Sequence, residues 1–142
     1  MVYRYLMDTM FNLRLAGGAD AYLSKCPSRT VLVMLSDKWT LLMLCALSTG
    51  PRRFGELHRR LDGITHKMLS QTLRTLERDG LVTRTVYATV PPSVEYALTD
   101  LGMSATNLVE EVRQWAEIHV DDVLESRVKY DDREKLGPLQ VK

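Results

Sequence analysis

Residues 65–80 read THKMLSQTLRTLERDG, and the spacing of their apolar groups decides how the rest of the chain is arranged. Leu69, Leu73 and Leu76 recur at i, i+4 and i+7, which is one apolar stripe of a helix turned toward a core. The opposite face carries Lys67, Ser70, Gln71, Arg74 and Arg78. Thr65 suits the N-cap, because its hydroxyl can accept a bond from an otherwise unpaired N–H of the first turn. Gly80 suits the left-handed position just past the C-terminus. Such a surface matches the major groove of DNA, where Arg bonds guanine O6 and N7, Gln bonds adenine N6 and N7, and Lys is drawn to guanine or phosphate. Taken alone, the stretch is described more simply as an amphipathic helix with a solvated face. Its neighbours separate the two readings.

Immediately upstream, RFGELHRRL over residues 53–61 sets Phe54, Leu57 and Leu61 at helical spacing, Asp62–Gly63 breaks the pattern, and Ile64 points inward. Two short helices joined by a tight glycine-containing turn, the second with a polar outer face, form a helix-turn-helix. Downstream of Gly80 the period changes to two. Leu81, Thr83, Thr85 and Tyr87 alternate with Val82, Arg84 and Val86, and after Pro91–Pro92 the residues Val94, Tyr96 and Leu98 alternate with Glu95 and Ala97. These are two strands and a loop, a β-hairpin wing. Helix-turn-helix plus wing is far more specific than either part.

Further upstream, Ser28 to Leu35 reads as a helix burying Val31, Leu32 and Leu35. Ser36 or Asp37 caps a second helix, Lys38 to Leu47, that is apolar nearly all round and therefore belongs in the middle of a small core. Cys45 on it reads as a small hydrophobe. At the other end Thr99 caps a long helix in which Leu101, Ala105, Leu108, Val112 and Trp115 step by 4, 3, 4 and 3, the seam of a helix that pairs with another. An acidic flank of Glu110, Glu111, Glu117, Asp121 and Asp122 keeps this helix off DNA and suits it to dimerisation. The expected organisation is an N-terminal arm over residues 1–25, a mainly α winged domain with a small β-hairpin over residues 26–124, and a polar tail over residues 125–142, disordered from about Lys129. The arm mixes Tyr3, Tyr5, Met7, Met10 and Phe11 with a break at Gly17–Gly18, resumes at Ala19–Leu23, and suits a short helical arm. A partner subunit and the chain's own core are both open as the surface that covers it.

The bulk numbers agree with one domain. The chain has 142 residues, 45% hydrophobic and 26% charged, which suits a modest core and excludes wholesale disorder. The net charge of +1 says little, but residues 51–87 hold eight Lys/Arg against four Asp/Glu, while residues 102–125 hold one against six. That asymmetry calls for a basic face on one partner and an acidic element elsewhere. No apolar run is long enough for a bilayer, and the start, MVYRYLMDTM, lacks a signal-peptide pattern. Cys26 and Cys45 form no CxxC pair, so a reducing, cytoplasmic setting is expected. His58, His66 and His119 have no ligand spacing with either cysteine, so neither a metal nor any other cofactor is expected.

The residues resemble the HxlR-type winged helix-turn-helix regulators, a MarR-like family. The resemblance is carried by Cys26–Pro27, by Asp37–Lys38–Trp39, and by Arg53–Phe54–Gly55–Glu56–Leu57. It continues through ITHKML over residues 64–69, LRTLERDGL over residues 73–81, PPSVEY over residues 91–96 and LTDLG over residues 98–102. It implies a homodimer, binding of double-stranded DNA through the matching helix and wing, and control of transcription in the bacterial cytoplasm. Ser93 departs from the family pattern, which often places a basic residue after the double proline, and this leaves Arg84 and Tyr87 as the wing's expected contacts.

Lys67, Ser70, Gln71 and Arg74 are the expected base readers, with Arg78 and Thr65 on the same element. Arg52, Arg53 and Arg84 are expected on phosphates, and His66, on the shoulder of the helix, is either a bystander or a phosphate contact. The resemblance also implies that Cys26 can sense oxidants or electrophiles. A helix N-terminus lowers a thiol pKa, and Lys25 and Arg29 are expected to push the same way. The function expected is an inverted-repeat-binding repressor. Its alternatives are a regulator that senses a small molecule at the dimer interface and a protein–protein module without DNA contact, which would need an apolar or acidic outer face over residues 65–80. A thiol enzyme built on Cys26 lacks a visible base partner and a substrate cleft, so no enzymatic activity is expected.

Overall fold

The structure is a computed structural model that describes residues 19–137. Its elements run α1 (Ser28–Ser36), α2 (Lys38–Leu47), β1 (Arg52–Arg53), α3 (Phe54–Arg60), α4 (His66–Arg78), β2 (Val82–Tyr87), β3 (Ser93–Leu98) and α5 (Asp100–Lys135). The core is built on α2, whose Met43, Leu44 and Leu47 meet Leu57 of α3 and Leu69, Leu73 and Leu76 of α4 with almost no solvent access. Asp37 starts α2, its Oδ2 accepting the Thr40 N–H at 2.9 Å. Ile64 points into the core from the turn between α3 and α4, as its sequence position requires.

α4 begins where the Thr65 hydroxyl accepts the Met68 N–H at 3.1 Å. It ends at Asp79, after which Gly80 takes a φ of +80°, a conformation that L side chains resist. One polar group enters the core with the three leucines. Thr72 is buried, and its hydroxyl donates to the Met68 carbonyl at 2.8 Å, so no polar atom is orphaned there.

The wing is a three-stranded antiparallel sheet in the order β1-β3-β2. β2 pairs with β3 from Val82 opposite Leu98 to Tyr87 opposite Ser93. The third strand, β1, sets Arg52 opposite Tyr96 and Arg53 opposite Glu95. Two residues carry no period, so the sequence showed only the hairpin.

Three expectations need correction. α1 buries none of its residues: Val31 and Leu32 are exposed, and the helix leans on the core through Met34 and Leu35 alone. A nine-residue helix at the edge of so small a core finds room for one contact row only. Residues 19–25, the described end of the expected helical arm, form turns instead, with the Leu23 N–H donating to the Asp20 carbonyl at 3.1 Å. The remainder of the arm, residues 1–18, lies outside the described residues. The polar stretch from Lys129 is not disordered up to Lys135 but continues α5. A helix already nucleated in the core propagates at little cost until a breaker appears, and the first is Gly137. The Lys129–Glu125 pair, 2.7 Å at i,i+4, adds support on the way.

α5 is capped by Thr99, whose hydroxyl accepts the Gly102 N–H at 3.1 Å. Its first turns pack inward through Gly102 and Val109, and its remainder projects past the body of the domain. No single described helix is long and apolar enough to cross a membrane.

Candidate nucleic-acid interface

The leucine stripe of α4 fixes how the rest of that helix points. With Leu69, Leu73 and Leu76 sealed inside, Lys67, Gln71, Arg74 and Arg78 stand exposed on the far side and Ser70 is half-buried at its edge. Among the described residues none of Lys67, Arg74, Arg78 and Arg84 is ion-paired, so this ridge carries uncompensated positive charge. Met68, 41% exposed, adds an apolar shoulder beyond the polar candidates. Its position off the leucine stripe was the available signal.

The flanking candidates sit at the ends of this ridge. Thr65 spends its hydroxyl on capping and its carbonyl on the Leu69 N–H at 2.9 Å, which leaves its backbone N–H to face outward at the helix start. The His66 ring stacks on His58 at 4.1 Å between centroids and faces Phe54 at 5.6 Å, so it ties α4 to α3 across the turn. Arg52 is half-buried, and its guanidinium donates to the Thr49 hydroxyl at 2.9 Å, whereas Arg53 is exposed. On the wing Arg84 and Tyr87 are both exposed, and the Tyr87 hydroxyl lies 3.3 Å from Glu95 Oε1. Ridge and wing flank one another because β2 follows α4 with only a two-residue turn at Gly80 and Leu81 after its cap.

The thiols differ sharply. Cys26 is only 3% exposed, and its Sγ lies 3.0 Å from the Ser28 hydroxyl. That side-chain bond, followed by the Ser28 backbone N–H, holds the thiol pKa below its usual value. The expectation that Lys25 and Arg29 do this is corrected: the Arg29 guanidinium is turned away, donating to the Ala21 and Tyr22 carbonyls at 2.9 Å each. Cys45 goes the other way, pushed up to about 11 by burial and then by the neighbouring Glu110 carboxylate.

Among the described residues the seam on α5 is left open. Leu101, Leu108, Val112 and Trp115 are between 47% and 60% exposed, and Ala105 is half-buried among them. A run of large apolar groups in solvent along one helix marks an unpartnered surface. Among the described residues no three His, Cys, Asp or Glu side chains are placed to hold a metal ion.

Basic recognition ridge, adjoining wing and protruding terminal helix define a winged helix-turn-helix DNA-binding protein. The family model for HxlR-like helix-turn-helix proteins matches residues 34–123, and the chain belongs to that family. It is 42% identical over 108 residues to the HTH-type transcriptional regulator YtfH of Escherichia coli (strain K12), an alignment spanning 76% of this chain and 86% of that one. The solved structure of the transcriptional regulator ytfH from Salmonella typhimurium superimposes with a TM-score of 0.72 at 41% identity, covering 76% of this chain and 96% of that one. The redox regulator HypR in its reduced form superimposes with a TM-score of 0.63 at 40% identity, covering 70% and 98%. The chain is therefore a transcriptional regulator with a helix-turn-helix DNA-binding domain, in a family of regulators rather than enzymes.

Proposed function

We propose that the protein works as a homodimeric repressor. In this reading two copies join through Leu101, Ala105, Leu108, Val112 and Trp115, and their two α4 ridges enter successive major grooves of an inverted repeat about 34–36 Å apart. Lys67, Ser70, Gln71, Arg74 and Arg78 meet base edges and adjoining phosphates. Thr65, His66, Arg52 and Arg53 lie along the backbone, and Arg84 and Tyr87 bring the wing to the flanking groove. The observation that carries this reading is the exposed basic face of α4, free of ion pairs among the described residues, set back to back with a fully buried leucine stripe. A dimer clamped in this way blocks the DNA it covers. A protein–protein module without DNA contact has no use for that ridge. Sequencing the genomic fragments that the purified protein retains tests the proposal: an enriched inverted repeat supports it, and fragments without a shared sequence overturn it.

A second element concerns the signal. Cys26, with its thiolate favoured by Ser28 at the start of α1, is proposed as the oxidant- or electrophile-sensing thiol. HypR, described as a redox regulator and solved in oxidised and reduced forms, lends support as a relative. If Cys26→Ser keeps both DNA binding and its full response to diamide, the sensing role is lost.

A further inference from the structure

We propose that the stacked rings of His58 and His66 form a proton-linked contact to the DNA backbone. The pair takes up one proton when a phosphate docks beside it, so operator binding strengthens as the medium turns acid. The contact deepens the regulator reading above and rests on it; the coupling within the pair does not.

His58 lies in the last turn of α3 and His66 at the first position of α4, so the pair bridges the two helices of the reading unit. The ring planes are 24° from parallel with centroids 4.1 Å apart, and Phe54 stacks on His66 at 5.6 Å. His66 is exposed and His58 half-buried. His66 is therefore the ring that meets a phosphate, and His58 the positioning residue that holds it from α3. Among the described residues neither imidazole has a carboxylate within ion-pair reach.

The surrounding charge limits how many protons the pair can hold. α3 supplies Glu56, Arg59 and Arg60, the turn supplies Asp62, and the start of α4 supplies Lys67. Of the elements packed on these helices, β1 brings Arg52 and Arg53, β2 Arg84, β3 Glu95 and α2 Lys38. Glu56 is engaged by the Arg53 N–H at 3.1 Å and Glu95 by the Tyr87 hydroxyl at 3.3 Å. Cations thus outnumber acids around the rings. Two imidazolium charges stacked at 4.1 Å would add a strong repulsion of their own. One proton fits, a second is opposed, and the pair titrates as a unit.

An imidazole changes charge between about pH 5 and 8. At the start of α4 the helix dipole opposes a positive His66 in the free protein. A docked phosphate reverses that balance, because its negative charge favours the imidazolium, whose N–H donates to a phosphate oxygen. The complex therefore holds a proton that the free protein releases. Since the bound state carries more protons, affinity rises as pH falls through this range.

An NMR titration of the histidine side chains in the full-length protein tests the pair without any DNA. Two proton steps more than about one pH unit apart are expected. They should collapse to a single, shifted His66 step in His58→Phe, which keeps a ring in the stack but carries no proton. Both imidazoles titrating together in the wild type, or a His66 step unmoved by His58→Phe, overturns the coupling. Fluorescence-anisotropy titrations of operator DNA at fixed salt, from pH 8 to pH 6, then read the linkage. Affinity should rise at least about fivefold, because one proton taken up is worth up to about tenfold per pH unit. His119→Gln, whose ring lies on the far half of α5, should keep that rise, and His66→Gln should lose it. A flat wild-type profile, or a wild-type slope in His66→Gln, overturns the phosphate contact. If the protein retains no specific DNA at any pH, the regulator reading fails, and the NMR titration still decides the pair.

Discussion

Gly102, in the first turn of α5, rests directly against the backbone carbonyl of Leu81, and a β-carbon added there would overlap that oxygen. The same carbonyl accepts the Thr99 N–H at 3.0 Å. The start of the long helix is thus pressed onto the strand that leaves the recognition helix, a contact only glycine permits.

Gly102→Ala therefore destabilises the fold by about 1–3 kcal/mol, the usual cost of overpacking. In a domain of this size the melting temperature falls by roughly 2–4 °C per kcal/mol, which calorimetry reads directly. A variant that melts with the wild type would show that this junction yields freely.

Arg74→Ala and Arg84→Ala should separate base reading from backbone contact. The first should cost about 1–3 kcal/mol on the preferred sequence and much less on random DNA. The second should weaken all sequences alike and lower the salt slope by about one unit. Gel-shift titrations at several salt concentrations distinguish the two patterns, and identical behaviour would remove Arg74 from the base readers.

The cysteines should label at different pH. The Cys26 pKa is lowered by Ser28, so its thiolate persists to lower pH than that of an ordinary thiol. Cys45, raised to about 11, stays protonated well into the alkaline range. Iodoacetamide followed by peptide mass spectrometry should modify Cys26 first near neutral pH, and Ser28→Ala should slow that reaction by moving the thiol back toward its usual value. Cys45 labelling first would contradict this assignment.

The raised Cys45 value also carries a stability consequence. A thiol whose folded pKa lies above the unfolded one favours the folded chain while it stays protonated. That contribution is complete below the ordinary value of 9.0 and is lost as pH rises from there through about 11. The melting temperature should thus drop across that interval, and Cys45→Ala should flatten the drop. A slope that is the same in both proteins rules the thiol out as its cause.

Replacing Val112 with Asp puts a charge in the centre of the open seam. Sedimentation should show a monomer, and operator affinity should fall on the order of 100-fold, because one ridge then binds without the advantage of its tethered twin. A dimer of unchanged stability would mean that the subunits meet elsewhere.

Most of the reading head was legible in the sequence because its signals are periodic. Three leucines spaced for a helix gave α4, two alternating runs gave β2 and β3, and Thr65, Asp37 and Thr99 announced their helices by capping chemistry. What escaped has no period or depends on distance in space. β1 is two residues long and exists only because β3 runs beside it. α1 looked like a core helix because its composition is apolar, but composition does not say how many neighbours a helix will find. The charges beside Cys26 in the sequence, Lys25 and Arg29, point to themselves as its partners, whereas a hydroxyl two residues along provides the hydrogen bond. The polar C-terminal stretch has no core to hold it and so carries no sign of order in its composition, although a growing helix needs none.

The short strand has one more effect. Because Arg52 and Arg53 are stitched to Tyr96 and Glu95, the hairpin cannot swing on its own hinge away from the two short helices. Each subunit offers its reading surface as a single casting. In the proposed dimer, affinity would then be tuned by the stance of one casting relative to the other, as the jaws of a caliper are set by its beam, and a signal that never reached the beam would leave the grip as it was.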